Sequence, residues 1–205
     1  MIVVTVQYRL GIFGFLSLNS KTEKLGNFGL YDQQMAIKFI HRNAKNIGGN
    51  SSLITIAGIE AGGQSVGHLV NSESRALIGG AISMLGVGNF PYFKPNVKTL
   101  DQKFRSICTK TLNVDTCETE SMRDFLTSFE SVPTSTILSI GKLINAAFLP
   151  RSDESFFVKN QPNNSISYMI VTTSTDGPVV KPEYRGNGHS LCSIYDRKFL
   201  NLLRV

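Results

Sequence analysis

The sequence predicts an α/β fold, a mostly parallel sheet with flanking helices, from three observations. Two runs of β-branched and apolar residues, Ile2–Val6 and Leu53–Ala57, have the composition of strands that are buried on both faces of a parallel sheet. Between these runs, apolar residues recur at helical spacing over residues 31–45. A glycine-rich turn, Gly58–Gly63, directly follows the second run. Strands that alternate with helices in this way are typical of parallel sheets with crossover connections.

The first half of the chain contains these elements in order. After the first predicted strand, Gly11 and Gly14 permit a tight bend among large apolar residues. Residues 17–27 are polar and predict a turn. The predicted helix over residues 31–45 carries Asp32 near its start, where a carboxylate suits the helix dipole or makes a buried polar contact.

The elements that surround the glycine-rich turn follow from local signals. Glycines after residue 47 end the first helix, and residues 64–70 continue the turn as a second helix. Ala81–Met84 is a short run of strand character. The pattern therefore places the turn between a buried strand and a helix.

The second half of the chain has a different pattern of residues, which predicts mostly helices and loops. Apolar stripes predict helices over residues 97–149, with a break at Pro133. Residues 150–167 predict a loop, residues 168–172 a weak strand, and residues 176–178 a turn. We therefore expect one domain in three parts: residues 1–88 form the central sheet and its turn, residues 89–182 a helical insertion and the following turn, and residues 183–205 a tail without assigned structure.

Composition excludes several function classes. The formal net charge is +6, but the lysines and arginines are scattered and lack interleaved aromatic residues, which argues against a nucleic-acid-binding groove. No stretch is long and apolar enough to predict a membrane span. Residues 1–8 lack the basic leader and cleavage site of a signal peptide, so we expect the chain to begin within a fold. The spacing of cysteines and histidines predicts no metal site, and we expect no cofactor.

Several long motifs, in this order, resemble the type-B carboxylesterases and cholinesterases. They are the strand and bend Val3–Leu16, the segment Gly26–Ile37 with its Gly-Asn-x-Gly-Leu-x-Asp-Gln pattern, Asn46–Asn50 followed by Ile54–Ile56, Ser74–Ile78, Ala81–Met84 and Asp176-Gly177. The resemblance is strong over residues 1–86, patchy over residues 87–182, and it fades after that. It implies a partial α/β-hydrolase fold that covers less than half of a family member. It also implies that the family's oxyanion-hole glycines lie before Met1 and its triad acid and histidine after Val205, since His189 comes too early.

The resemblance directs attention to the glycine-rich turn. In α/β-hydrolases a turn of the type Gly-x-Ser-x-Gly lifts the nucleophilic serine from the end of a strand. Here Gly58, Gly62 and Gly63 match the turn, whereas Glu60 occupies the position of the serine. Ala61 would supply one backbone N–H to an oxyanion hole. Losing the nucleophile alone costs on the order of 10⁶ in rate, so the resemblance predicts an inactive turn.

Three interpretations follow from Glu60. The leading one is a cholinesterase-like protein without hydrolase activity, either an adhesion or ligand-binding relative or a truncated product. The alternative is a fragment of an active carboxylic-ester hydrolase with a gene-model or sequence error at position 60. In a third, Glu60 itself is the nucleophile, as an aspartate is in haloalkane dehalogenases, but its ester would need a histidine-activated water.

The remaining candidates concern cellular compartment and partners. By the resemblance, Cys108 and Cys117 are expected to form a disulfide, which would imply an oxidising compartment, and Cys192 is left over. Asn50 and Asn163 begin N-glycosylation sequons that fit the same compartment. The family resemblance suggests a secreted or cell-surface protein whose partner is a cell-surface protein or a small ester-like ligand. Because a partial parallel sheet has open edges, we expect the chain to fold poorly or aggregate by itself.

Overall fold

The computed structural model describes residues 1–19, 24–86, 97–112, 127, 129–144, 148–151, 156–157 and 166–171. The chain divides into two compact units, Met1–Val171 and Thr172–Val205, and the second lies outside the described residues. The predicted turn at residues 176–178 and the tail therefore stay predictions, as does the three-part division of the chain.

The first predicted strand is not present. Residues 1–10 carry no regular secondary structure, and the apolar side chains of this segment are exposed, with Val3 at 73% and Ile2 at 49%. Within the described part of the chain, no strand pairs with Ile2–Val6, so the prediction of a buried strand there was wrong. A run of β-branched residues favours strand conformation, but a strand also needs a neighbouring strand that pairs with its backbone N–H and C=O groups.

Short elements follow this segment. Helix α1 is Gly11–Phe15, and Gly11 has a φ of 54°, which confirms the predicted tight bend. Strands β1 (Leu18–Asn19) and β2 (Lys24–Leu25) pair antiparallel within the segment that the sequence predicted as a turn.

Helix α2 is Phe28–Asn43, three residues earlier at its start than the periodicity predicted. Asn27 precedes it with a φ of 59°, a conformation that asparagine adopts more readily than most residues. A 3₁₀ segment, Ala44–Ile47, continues the helix, and Gly48 ends it with a φ of 77°. The glycine stop was therefore predicted correctly.

The centre of the described fold is a parallel sheet. A 3₁₀ segment, Ser51–Leu53, leads into strand β3 (Thr55–Ile59), which is followed by helix α3 (Ala61–Val70). A further 3₁₀ segment, Glu73–Leu77, precedes strand β4. Strands β4 (Gly80–Met84) and β5 (Ser167–Val171) complete a three-stranded sheet in the order β3-β4-β5. The register aligns Thr55 with Gly80 and Gly80 with Ser167.

Among the described residues, two helices with established bounds lie in the predicted helical insertion. Helix α4 is Val97–Leu112, and α5 is Thr134–Ile144, which begins directly after Pro133 as predicted. Cys108 of α4 is completely buried and takes part in a disulfide. Because Cys117 lies outside the described residues, the pairing of Cys108 with Cys117 stays a prediction.

Packing covers one face of the sheet. Helices α2 and α3 pack on it through a core that includes Leu30, Ile37, Val66, Leu69 and Phe156. A separate cluster joins α1, α4 and α5 around Ile12, Phe104 and Ile140. The opposite face of the sheet stays open, because Ile59 is 56% exposed and Met169 and Val171 are each 37% exposed. Parallel sheets are normally covered on both faces, so among the described residues this face lacks the cover that such a sheet usually has.

Candidate functional site

The predicted strand–turn–helix is present around Glu60. Strand β3 ends at Ile59 and helix α3 begins at Ala61, which leaves Glu60 as the single residue that turns the chain. Its backbone has φ 51° and ψ −116°, a region that residues with a Cβ seldom occupy. Hydrogen bonds hold it there: the Glu60 N–H donates to the Met84 carbonyl at 2.8 Å, and the Glu60 carbonyl accepts from the Gln64 N–H at 2.9 Å. The Glu60 side chain is exposed at the surface.

The glycines around Glu60 allow close backbone contact. A Cβ at Gly58 would overlap the Gly62 backbone, and a Cβ at Gly63 would lie 2.6 Å from the Gly86 carbonyl oxygen. A Cβ at Gly86 would overlap the Glu60 carbonyl. Gly62 has open space around it, so packing does not require a glycine there. Close contact therefore requires glycine at two of the three turn glycines chosen from the sequence, Gly58 and Gly63, and also at Gly86, which was not chosen and whose signal is its place just after a strand.

Backbone N–H groups of α3 are directed toward the turn. The first N–H groups of a helix have no partner within the helix, and no described residue accepts from Ala61 or Gly62. These groups and the helix dipole favour a negative charge next to Glu60. The predicted donor at Ala61 is therefore placed at the start of α3; its role stays a prediction.

The end of strand β4 has the same kind of strain. Leu85 has a φ of 55°, and its N–H donates to the Val171 carbonyl at 2.8 Å. Glu60 and Leu85 therefore turn away side by side from the carboxyl ends of neighbouring parallel strands, where open α/β sheets bind their ligands. Strained non-glycine residues are most common at functional sites. Leu85 carried no sequence signal, because a positive φ at leucine depends on contacts with other strands.

A partly buried pair of hydroxyl groups, those of Ser83 and Tyr168, contacts the start of α3. The Ser83 hydroxyl donates to the Gly63 carbonyl at 2.8 Å and lies 2.8 Å from the Tyr168 hydroxyl. Burial raises the pKa of Tyr168, and the hydrogen bond to Ser83 partly offsets this rise. Neither residue was selected from the sequence, since they lie on different strands and meet only in the folded sheet.

A second polar contact reaches the turn from α2. The Ser65 hydroxyl donates to the Ala61 carbonyl at 3.0 Å, and the Gln33 amide nitrogen lies 3.2 Å from that hydroxyl. Ser65 thus bonds back within α3, as expected for a serine inside a helix. The Gln33 carbonyl oxygen is buried without a hydrogen-bond partner among the described residues.

The described histidines are placed away from this turn. His68 lies two turns further along α3, is only 3% exposed and packs edge-on against Phe157. Burial lowers its pKa to about 4, so it is neutral at pH 7. His41 lies on α2, and neither of these two histidines hydrogen-bonds to Glu60. His189 lies outside the described residues.

Two other residues selected from the sequence, Asp32 and Asn50, lie in the described part of the chain. Asp32 accepts two hydrogen bonds from the Arg9 guanidinium, at 2.6 and 2.7 Å, and one from the Arg9 N–H. The guanidinium holds the pKa of this carboxyl below its usual value. Asp32 therefore makes a polar contact, but this contact is exposed and not buried as expected. Asn50 is exposed and its side chain accepts from the Ser52 N–H at 3.0 Å, whereas Asn163 and Cys192 lie outside the described residues.

Neither a metal site nor a membrane span is present in the described part of the chain. The His, Cys, Asp and Glu side chains there form no group that could hold a metal ion. None of the described helices combines the length and apolar character that crossing a bilayer requires.

Comparisons with known proteins agree on one family. The sequence profile of the carboxylesterase family matches residues 1–201. The chain is 44% identical over 93 residues to an acetylcholinesterase of Danio rerio, and these residues cover 45% of the chain and 15% of the relative. It is 30% identical over 159 residues to an acylcarnitine hydrolase of Rattus norvegicus, and these residues cover 74% of the chain and 27% of the relative.

A solved structure has the same fold. The structure of a PNB esterase superposes with a TM-score of 0.64 at 25% identity, covering 91% of this chain and 41% of the esterase. The prediction of a partial α/β-hydrolase fold is therefore confirmed. The chain spans less than a third of the length of the two curated relatives named above.

Proposed function

Because the chain belongs to the carboxylesterase family, we propose that it is a carboxylesterase- or cholinesterase-like protein whose elbow turn no longer hydrolyses esters. In this proposal the elbow is the turn at Glu60, and the chain is an adhesion or ligand-binding relative of the esterases. Its partner is then a cell-surface protein or a small ester-like ligand.

The backbone of Glu60 carries this proposal. A carboxylate occupies the single strained position between β3 and α3, with a φ of 51°. Ester hydrolysis in this fold requires a hydroxyl at that position, activated by a histidine that a carboxylate orients. Glu60 has no hydroxyl, and the described residues place no histidine in hydrogen bond with it. The N–H groups at the start of α3 would stabilise an oxyanion, but they cannot replace the attacking group.

Hydrolysis of an aryl acetate by the purified chain tests the proposal. We expect 4-nitrophenyl acetate to be cleaved no faster than in a matched solution of the Glu60→Ala variant, because neither protein has a nucleophile. We also expect no covalent labelling by an organophosphate probe, measured by the mass of the intact protein. Turnover by the unchanged chain that Glu60→Ala abolishes would overturn the proposal.

Restoring the hydroxyl is a second test. We expect Glu60→Ser to remain inactive, because a serine needs a histidine to activate it and none of the described histidines hydrogen-bonds at this turn. Activity of Glu60→Ser at least a thousandfold above that of Glu60→Ala would show that the rest of the machinery is intact. That result would favour a sequence error at position 60.

The strained turn itself supports the second candidate, a fragment of an active hydrolase with an error at position 60. A positive φ costs about 1–3 kcal/mol for a non-glycine residue, and strain of this kind is usually retained for a function. This candidate predicts a transcript that encodes serine at position 60. Sequencing the transcript distinguishes it from the leading proposal, which requires a glutamate codon.

Direct attack by Glu60 is a distinct chemical alternative. Its exposed carboxylate at the start of α3 would form an ester with the alkyl group of a haloalkane, which releases halide, or an anhydride with the acyl group of an activated ester, which releases the alcohol. Mass spectrometry of the chain after incubation with a haloalkane or an activated ester would detect that adduct on the peptide containing Glu60. The leading proposal expects no such adduct.

The proposal includes a compartment. We place the protein in an oxidising compartment, secreted or at the cell surface, because the family resemblance pairs Cys108 with Cys117. The buried, disulfide-bonded Cys108 and the exposed Asn50 are consistent with a bridge and a glycan. Peptide mapping under non-reducing conditions would identify the partner of Cys108.

A further inference from the structure

The imidazole of His68 is buried in the core without a hydrogen-bond partner among the described residues. It lies in the last turn of α3 and is only 3% exposed. Neither ring nitrogen bonds to a described residue. A neutral imidazole has one donor and one acceptor to satisfy, whereas the charged form would bury two donors and a full charge. The fold around His68 therefore accepts the neutral ring and opposes its protonation.

Two phenylalanines connect His68 to helix α2. The ring of Phe157 stands edge-on to that of His68, with centroids 5.6 Å apart and an angle of 72° between the planes. Phe156 packs edge-on against Phe157 at 5.0 Å and against Tyr31 of α2 at 5.1 Å. Both phenylalanines are buried. We call residues 156–157 the aromatic cap, because Phe157 lies directly against the His68 ring.

The aromatic cap joins the end of α3 through a short contact. Phe157 pairs with Ser72 in an isolated antiparallel bridge. Ser72 is itself fixed, because its hydroxyl donates to the Leu69 carbonyl at 2.8 Å and accepts from the Ser74 N–H at 3.1 Å. Helix α3, in contrast, packs along β3 and β4 and into the core through Val66 and Leu69. Displacing the cap therefore disturbs less of the fold than displacing α3.

The titratable groups around α3 do not compensate a charge on His68. Helix α3 packs against α2, β3, β4 and the 3₁₀ segment Glu73–Leu77, and neither strand nor the aromatic cap carries a titratable side chain. The titratable residues of the other two elements are Tyr31, Asp32, Lys38, His41 and Arg42 on α2, and Glu73 and Arg75 on the 3₁₀ segment. Both carboxylates are bound elsewhere, since Asp32 pairs with Arg9 and Glu73 with Lys38. Burial alone therefore lowers the pKa of His68, to about 4.

From these observations we propose that His68 is an acid-sensitive latch: when a ring nitrogen takes up a proton from water, the aromatic cap shifts toward an open form in which solvent reaches the ring, while α3 and the sheet remain folded. Buried histidines are a common means by which proteins respond to mild acid. The open form uncovers His68 and the Tyr31 ring that Phe156 contacts. The latch does not involve Glu60, so it is independent of the proposed function.

The direction of the response depends on which form binds the proton more tightly. The pKa of His68 is about 4 beneath the cap and 6.5 when water surrounds the ring, so the open form takes up the proton first as the pH falls. The ratio of open to closed form is therefore lowest above pH 6.5. It rises by about 300-fold in total between pH 6.5 and pH 4, and by about twentyfold from pH 7 to pH 5.

Hydrogen exchange of the full chain at pH 7 and pH 5 tests the latch. After correction for the intrinsic pH dependence of exchange, we expect peptides that contain Phe156 and Phe157 to exchange about twentyfold faster at pH 5. Peptides that contain β4 and α5 should keep their protection, because the sheet and the separate cluster around α5 remain folded. Equal acceleration in all of these peptides would indicate unfolding of the whole chain and would overturn the proposal, as would unchanged exchange at the cap.

The pH course of exchange tests whether one proton with the properties of His68 controls the cap. We expect the corrected exchange at the cap to be level above pH 6.5 and to rise about sevenfold from pH 6 to pH 5. Acceleration that is already complete at pH 6.5, or that begins only below pH 4, would assign the opening to other groups and contradict the latch. This measurement uses the unchanged chain, so it decides the question even where a variant does not fold.

A matched pair of variants assigns the proton to His68. His68→Gln keeps a polar side chain without a group that titrates in this range, and His41→Gln makes the same change on α2. We expect cap exchange in His68→Gln to be equally fast at pH 7 and pH 5, and His41→Gln to keep the twentyfold difference. A His68→Gln variant that keeps this difference, or a His41→Gln variant that loses it, would overturn the assignment.

Discussion

At the scale of single residues, the backbone of Glu60 is more constrained than its side chain. The carboxylate is exposed, whereas the φ of 51° is fixed by hydrogen bonds to β4 and to α3. A glycine adopts this conformation without the strain that a Cβ causes. Position 60 is therefore one where glycine is expected to stabilise the fold.

The first prediction concerns the stabilities of two variants, Glu60→Gly and Glu60→Ala, which both remove the charge. Relief of about 1–3 kcal/mol of strain outweighs the 0.5–1 kcal/mol of extra unfolded-state entropy that glycine brings. We expect Glu60→Gly to be the more stable by about 1 kcal/mol, measured by urea unfolding followed by circular dichroism at low protein concentration.

The same pair of substitutions at Ile59 is the control. Ile59 lies in β3, where glycine is less favourable than alanine, so the difference in unfolding free energy should have the opposite sign. Greater stability of Glu60→Ala than of Glu60→Gly would mean that residue 60 does not have a positive φ in solution.

At the scale of elements, α3 combines two tasks at its two ends. Its first turn presents N–H groups beside Glu60, and its second half packs into the core through Val66, Leu69 and Val70. His68 lies in this packed half, and neither of its ring nitrogens has a partner among the described residues. The stability of α3 should therefore depend on keeping His68 neutral.

The second prediction concerns pH. The folded pKa of His68 is about 4, below the 6.5 of the unfolded chain, so the unfolded state binds the proton first as the pH falls. The stabilisation is present above pH 6.5 and is lost between pH 6.5 and pH 4, by about 3 kcal/mol in total.

Urea unfolding at pH 7.5 and pH 4.5 measures this loss of stability. We expect His68→Leu to remove most of the difference between the two pH values, because leucine does not titrate. His41→Leu, the same change on α2, should leave the difference in place. A His68→Leu variant with an unchanged pH dependence would show that other groups cause it.

At the scale of the whole molecule, the sheet of the described residues is open in two directions. One face is open, with Ile59, Met169 and Val171 exposed, and the edge of β3 has no neighbouring strand among these residues. Exposed apolar sheet surface and open edges favour association between chains. The expectation from the sequence, that the chain aggregates by itself, therefore stays a prediction with a structural basis.

The third prediction is that the chain aggregates, which light scattering at increasing protein concentration measures. We expect aggregation at concentrations of about 10 μM and above, and slower aggregation of Ile59→Lys, which places a charge on the open face. Phe39→Lys is the matched control, because Phe39 is 63% exposed on α2, away from the sheet, and should have little effect. A chain that stays monomeric and unfolds in one cooperative transition would contradict this expectation.

Local signals in the sequence determined several elements. Glycine at residue 48, proline at residue 133 and the turn at Gly58–Gly63 fix where chain segments begin and end, and each was found as predicted. These signals act through the backbone of one or two residues, so they need no distant partner. The order of motifs also determined the family, which the comparisons confirmed.

The tertiary structure decided everything that depends on a distant neighbour. The run Ile2–Val6 has strand composition but no neighbouring strand to pair with among the described residues, and its apolar side chains are exposed. Ser83 and Tyr168 are 85 residues apart and meet only because β4 and β5 are adjacent. The strain at Leu85 likewise depends on β5. Sequence patterns report the preferences of a segment, whereas hydrogen-bond partners and burial are properties of the assembled sheet.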